Sequence, residues 1–189
     1  LAIPFAEEHG GLDGNDVDLS LMFEEFGKAI VVEPYLANVV LGGGILKRSD
    51  LEDRSKYIEG IISGESQISL ANYEPTKGFN LGNVDCEISS DGNVNGLKTT
   101  VLNAQNANYF VVFGKQGNSY AFALVSKDAE GLDCTSYKTY DGFVSGDVKF
   151  NNCKAEAVFS TSNALEILEE TILDGLICVS SEAVGAMEK

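Results

Sequence analysis

The chain has 189 residues, 44% of them hydrophobic, enough to bury the core of one domain or of two small ones. Its 29 acidic residues against 13 basic ones give a formal net charge of −16, and the cations form no cluster beyond isolated pairs such as Lys47-Arg48. Such a field repels polyanions and excludes nucleic-acid binding through a basic patch. The same field disfavours an unaided site for an anionic cofactor, which cations from a neighbouring chain would help to hold.

No apolar run approaches the roughly 18 residues of a membrane span. The longest, Leu36 to Leu46, is interrupted by Asn38 and by Gly42, Gly43 and Gly44. The N-terminus lacks the basic start and long apolar centre of a secretory signal. The expectation is a soluble, cytoplasmic protein without membrane insertion. Cys86, Cys134, Cys153 and Cys178 are widely spaced and form no C-x-x-C pair, so zinc or dithiol chemistry has no support and no metal site is expected. They read as reduced, buried thiols.

In chain order, Leu19, Met22, Phe23 and Phe26 recur at helical spacing from Asp16, with Gly27 as a stop. Pro34 opens a second helix through Leu36, Val39, Val40 and Leu41, which Gly42-Gly43-Gly44 loosens. A third begins near Ser49-Asp50, with Ser49 as its cap, and runs to Gly64. After Gly64 the period changes to short β-rich runs: Ile68 to Ala71, Val84 to Ile88, Tyr109 to Phe113, Tyr120 to Val125 and Val144 to Phe150. Turn signals at Asp91-Gly92, Asn95-Gly96, Gly117-Asn118 and Asp141-Gly142 bound them, which predicts a compact barrel or sandwich. From Asn163, Leu165, Leu168, Ile172, Leu176, Val179 and Ala183 predict a long helix whose apolar stripe needs a partner surface. The fold class is α+β.

This order of elements, and five motifs in sequence, resemble the acyl-CoA dehydrogenases. Ile3 to Leu12 resembles the family's Pro-Glu-x-x-Gly-Gly loop, Phe23 to Ala29 its Glu-Glu-Leu-Gly helix end, and Ile61 to Glu65 the turn into its β-domain. Asn95-Gly96-Leu97-Lys98 is similar to its Asn-Gly-x-Lys hairpin, and Ala183 to Glu188 to its first C-terminal helix. The resemblance implies a helical N-terminal region (1–66), a middle β-domain (67–160) and the first helix of a truncated C-terminal helical bundle (161–189). It also implies that one or two N-terminal helices and most of the bundle are missing.

The activity it implies is oxidation of an acyl-CoA to a 2-enoyl-CoA with FAD as hydride acceptor, in a homo- or hetero-oligomeric dimer or tetramer. Leu70, Asn72, Tyr73, Gly78 and Phe79 align with the first flavin-binding strand and loop. Glu74, Pro75 and Gly78 match the family there, while Tyr73 stands for a Thr or Ser, and Phe79-Asn80 for Ser-Asp. In a second segment, Thr100 stands for the tryptophan that packs on the flavin, and Leu102 for the hydroxyl residue beside N5, which leaves a backbone N–H as donor. The family's catalytic glutamate lies in a region this chain lacks, or, in a minority, at the position of Gly175. No catalytic residue is therefore assigned, and neighbouring Asp174 reads as a solvated helix charge. The alternative implied is a degenerate, non-catalytic subunit or fragment packed against an active acyl-CoA dehydrogenase partner.

Taken without the resemblance, Tyr73, Phe79 and Leu102 are ordinary core or strand residues, and His9 is a solvated loop residue. The glycine run lacks the G-x-G-x-x-G pattern of a phosphate loop.

Overall fold

The computed structural model describes residues 1–188. Helices α1 (Asp16–Ala29), α2 (Gly43–Arg48), α3 (Arg54–Ser63) and α4 (Ala164–Met187) pack against a mixed sheet. Its strands are β1 (Ile68–Ala71), β2 (Glu87–Ile88), β3 (Asn93–Leu102), β4 (Tyr109–Gln116), β5 (Ser119–Ser126), β6 (Leu132–Lys138), β7 (Val144–Lys154) and β8 (Ala157–Phe159).

Helix α1 starts where the sequence places it because Asn15 and Asp18 form a reciprocal capping box. Asn15 Oδ1 accepts from the Val17 amide at 2.8 Å, and Asp18 Oδ2 from the Asn15 amide at 2.9 Å. Leu19, Phe23 and Gly27, four residues apart, form its buried stripe. Gly27 does not stop the helix. It is the point where α1 crosses α4: a Cβ on Gly27 would lie 2.0 Å from the Glu182 carbonyl oxygen, and one on Gly185 1.9 Å from that of Glu24. Lys28 Nζ bridges the ends of the two helices to Glu188 at 3.3 Å.

The run Gly42-Gly43-Gly44 also behaves differently from the expectation of a loosened helix. Residues Leu36–Gly42 form a π-helical stretch that passes directly into α2, and all three glycines are buried. Each admits a different neighbour: Gly42 the Ile68 carbonyl of β1, Gly43 the ring of Phe5, and Gly44 the Thr171 methyl group of α4. Buried Asn38 fastens this stretch to β1 by accepting the Ile68 amide at 2.8 Å. Ser49 is not the cap of α3 but closes α2, its hydroxyl donating to the Leu46 carbonyl at 2.8 Å, and α3 begins five residues later.

The strands follow the order β6-β7-β3-β2-β4-β5-β8, with β1 added in parallel to β4. Strands β6 and β8 end the path unpaired with each other, so the β-region is an open sheet folded into a sandwich, not a closed barrel. On one face, Val111, Phe113, Phe122 and Leu124 join the helical core; on the other, Phe110, Val112, Ala121 and Ala123 pack with Val101, Val148 and Phe150. This double burial is why β4 and β5 read as unbroken apolar runs. Asn95-Gly96 is not a turn but a bulge inside β3, where Gly96 adopts φ 153° and a Cβ would sit 2.9 Å from Cys86. Strands β6 and β8 are short of apolar alternation and escape the sequence pattern. Only Glu87–Ile88 of the expected Val84 to Ile88 run pairs as strand.

Alanine has the better helix propensity by about 0.5–1 kcal/mol, so Gly185→Ala in an open helix would stabilise it. At this crossing the sign is expected to reverse, with a loss of about 1–3 kcal/mol in urea or thermal unfolding as α1 and α4 are forced apart. A rise in stability would contradict the close approach.

Candidate functional site

Two features meet at the C-terminal end of β3. The first is a clasp that ties the segment after β1 to β3. Lys98 Nζ lies 2.7 Å from Glu74 Oε1 and donates to the Asn72 carbonyl at 3.2 Å; the two side chains are 0% and 4% exposed. Glu74 also accepts the amides of Asp85 at 2.6 Å and Cys86 at 2.9 Å, and the Thr99 amide donates to the Tyr73 carbonyl at 2.9 Å. Burial alone would push the Glu74 carboxyl up, but Lys98 and the two amides outweigh it and hold it below the usual carboxylate range.

The second feature is a cavity of about 540 Å³ between the end of α1, the 31–37 segment, the end of β3, the β6–β7 hairpin and α4. Phe23, Phe26, Leu36, Leu102, Phe143 and Val179 give it an apolar wall. Asn103 holds the β3 end in a left-handed turn (φ 58°), its amide donating to the Val144 carbonyl at 2.7 Å and its side chain donating to Gln67 Oε1. Asn106 donates to Asn103 Oδ1 at 2.8 Å, and both asparagines face the cavity. Tyr35 lines it too, wedged edge-on against Phe23 and Phe26, and burial pushes its phenol up to about 12.

The seven residues aligned with the flavin do not form one cluster. Leu70 is buried in the main core, in register with Val111. Asn72 and Tyr73 are joined to the Lys98–Thr100 segment by the clasp, and Asn72 Nδ2 is a buried donor without a partner. Thr100 is exposed at φ 54°, its amide donating to Asp147 Oδ1 at 3.2 Å. Leu102 alone of the seven reaches the cavity. Gly78 and Phe79 stand on a projecting loop, Phe79 95% exposed, which overturns its reading as a core or strand residue. Two further readings change. Asp174 is not a solvated charge: it is 12% exposed and paired with Arg48 at 2.7 Å. The His9 side chain is largely buried, 3.3 Å from Glu8.

Sequence reasoning matched Glu74 and Lys98 to separate motifs but not to each other. It also passed over Glu182, which lines the cavity from α4. The signal was present: Thr171, Gly175, Cys178, Glu182 and Gly185 alternate spacings of four and three, so Glu182 occupies an inward position of the stripe.

No family model matches the chain. It is 30% identical over 148 residues to the probable acyl-CoA dehydrogenase YngJ of Bacillus subtilis, covering 72% of this chain and 39% of that protein. It is 25% identical over 200 residues to the caffeyl-CoA reductase-Etf complex subunit CarC of Acetobacterium woodii, covering 95% and 52%. Among solved structures, an acyl-CoA dehydrogenase complexed with FAD from Bacillus anthracis superposes with a TM-score of 0.87 at 20% identity, over 98% of this chain and 35% of that one. The fold is therefore that of the acyl-CoA dehydrogenases. Fold and curated relatives together point to the acyl-CoA dehydrogenase family, and the chain spans about half the length or less of the curated relatives it matches.

Glu74→Gln is expected to cost about 3–5 kcal/mol at neutral pH, because it leaves Lys98 buried without its counter-charge. The folded Glu74 pKa is depressed, so its contribution is present above the unfolded value of about 4.3 and is lost as pH falls through the folded value. Unfolding free energies measured from neutral to acid pH should fall below about pH 4.3 in the wild type and less steeply in the variant.

Proposed function

We propose that this chain supplies the flavin-facing and acyl-facing walls of a site that dehydrogenates an acyl-CoA thioester between its α and β carbons, giving the 2-enoyl-CoA. Bound FAD would supply the hydride acceptor. The observation that carries this reading is that Leu102, aligned with the residue beside flavin N5, lies in the wall of the 540 Å³ cavity, a volume typical of small-molecule sites.

The residues present fit a flavin edge through main-chain groups and one side chain. Asn72 offers a buried donor without a partner, and Gly78, with open space around it, admits close approach. Leu70, Asn72, Tyr73, Gly78, Phe79, Thr100 and Leu102 are the residues proposed to hold FAD. Phe23, Phe26, Leu36 and Phe143 exclude water from the acyl group, while Asn103 and Asn106 offer amides to its polar end. No catalytic base is assigned: Gly175 packs on Leu41, and Asp174 is held by Arg48.

That last observation, with the outer face of α4, favours a second reading, a non-catalytic chain packed against an active dehydrogenase partner. Leu173, Leu176 and Met187 are exposed along that face, Leu176 at 57%. Both readings carry an oligomer, homo- or heteromeric, and a cytoplasmic setting.

The test is an absorbance spectrum from about 300 to 550 nm with and without added FAD, together with light scattering on the same sample. Flavin bands support the first reading. A colourless protein that forms a defined complex with a longer dehydrogenase chain supports the second. If FAD binds, Thr100→Trp is expected to leave its affinity unchanged or tighten it by up to about tenfold through ring stacking. Loss of bound FAD in titrations of this variant would contradict the assignment of Thr100.

A further inference from the structure

We propose that the cavity selects acyl groups carrying a cationic nitrogen over acyl groups ending in a carboxylate, and that Glu182 is the residue that selects. This inference rests on reading the cavity as the acyl site.

The lining contains Glu33, Asp141 and Glu182 but no Lys or Arg. The three acids are not equivalent. Asp141 is committed to its own turn, accepting from the Thr139 hydroxyl at 2.5 Å and the Phe143 amide at 3.1 Å, and Glu33 is exposed on the rim. Glu182 is half-buried, and among the described residues its carboxyl has neither a hydrogen-bond donor nor an ion-pair partner. It extends from the inward stripe of α4, where its neighbours Cys178 and Gly185 are buried. Burial pushes its carboxyl above the usual range.

A second, independent feature points the same way. Tyr35 is 7% exposed and lines the cavity, and its hydroxyl has no partner. A buried hydroxyl left unsatisfied costs free energy that a ligand N–H recovers. Phe23, Phe26, Tyr35 and Phe143 line the same wall, and an aromatic face attracts an ammonium and repels a carboxylate. A ligand ending in a carboxylate would meet an unpaired carboxyl with no cation to offset it. A neutral alkyl chain is indifferent to Glu182 and is held by the apolar wall alone.

The experiment is ligand-observed NMR competition on the full chain with three probes of equal length, hexylammonium, hexanol and hexanoate. Hexylammonium is expected to bind about tenfold more tightly than hexanoate. In Glu182→Gln the two should converge to within about twofold, with hexanol unchanged. Glu169→Gln removes the same charge from an exposed α4 position outside the cavity, and it should keep the preference. Equal binding of the charged probes in the wild type, no binding of hexylammonium, a preference that survives Glu182→Gln, or one that Glu169→Gln erases equally would each overturn the proposal. Titrating FAD into the same samples separates the two readings. Failure of FAD to bind, with the ammonium preference intact, removes the flavin reading alone. FAD binding without the preference removes the selectivity alone.

Discussion

The buried pairing of Lys98 with Glu74 is the constraint on which the β-region's geometry depends. A lysine with a side chain 0% exposed is tolerated only where its charge is met, and here a carboxylate and a carbonyl meet it. The carboxylate is itself satisfied by two backbone amides from the far end of the 72–86 segment. One acid therefore fixes both ends of an irregular stretch against β3. Besides it, the loop that carries Gly78 and Phe79 is tied to the sheet by the Tyr120 hydroxyl of β5, which donates to the Gly82 carbonyl at 2.9 Å, and only Glu87–Ile88 pairs as strand after it. The bulge at Gly96 belongs to the same device, since its missing side chain lets Cys86 lie directly against β3.

Glycine performs the equivalent task on the helical side. Gly27 and Gly185 bring the backbones of α1 and α4 into contact, and Gly42, Gly43 and Gly44 let the π-helical stretch touch β1, Phe5 and α4 in turn. These approaches position α1 and α4 relative to each other, and therefore the walls that Phe23, Phe26, Val179 and Glu182 contribute to the cavity. The π-helical winding of Leu36–Gly42 lies in the segment next to that wall, in keeping with the tendency of such winding to occur at functional sites.

Local pattern made some elements legible and left others out. Helix α1 was readable because cap, apolar stripe and solvent face agree, and β4 and β5 because burial on both faces leaves continuous apolar runs. Strand β3 was not readable: Asn95-Gly96 has the chemistry of a turn, and only pairing with β7 across the bulge keeps the strand going. Ser49 has the chemistry of an N-cap, yet the chain uses its hydroxyl to close the preceding helix. The candidate site was legible in its parts and not in its assembly. Glu74, Lys98 and Leu102 each fell within a motif, but a buried ion pair between residues 24 positions apart leaves no mark on periodicity. Phe79 gave the opposite error, since nothing local distinguishes an aromatic ring on a loop tip from one in a core.

The electrostatics of the chain set the remaining terms. A net charge of −16 opposes any polyanionic ligand at long range, but salt screens such a field beyond about 8 Å at physiological ionic strength, so recognition is decided by groups at the site. Near the clasp, Lys77 is held by Asp85 at 2.7 Å and Lys98 by Glu74, so neither is free for a phosphate. In the cavity, cations are absent altogether among the described lining residues. The surfaces of this chain that face the site are therefore suited to the neutral and cationic portions of a ligand. A phosphate-bearing portion would need counter-charge from outside these surfaces, since neither the clasp nor the cavity wall offers an uncommitted cation.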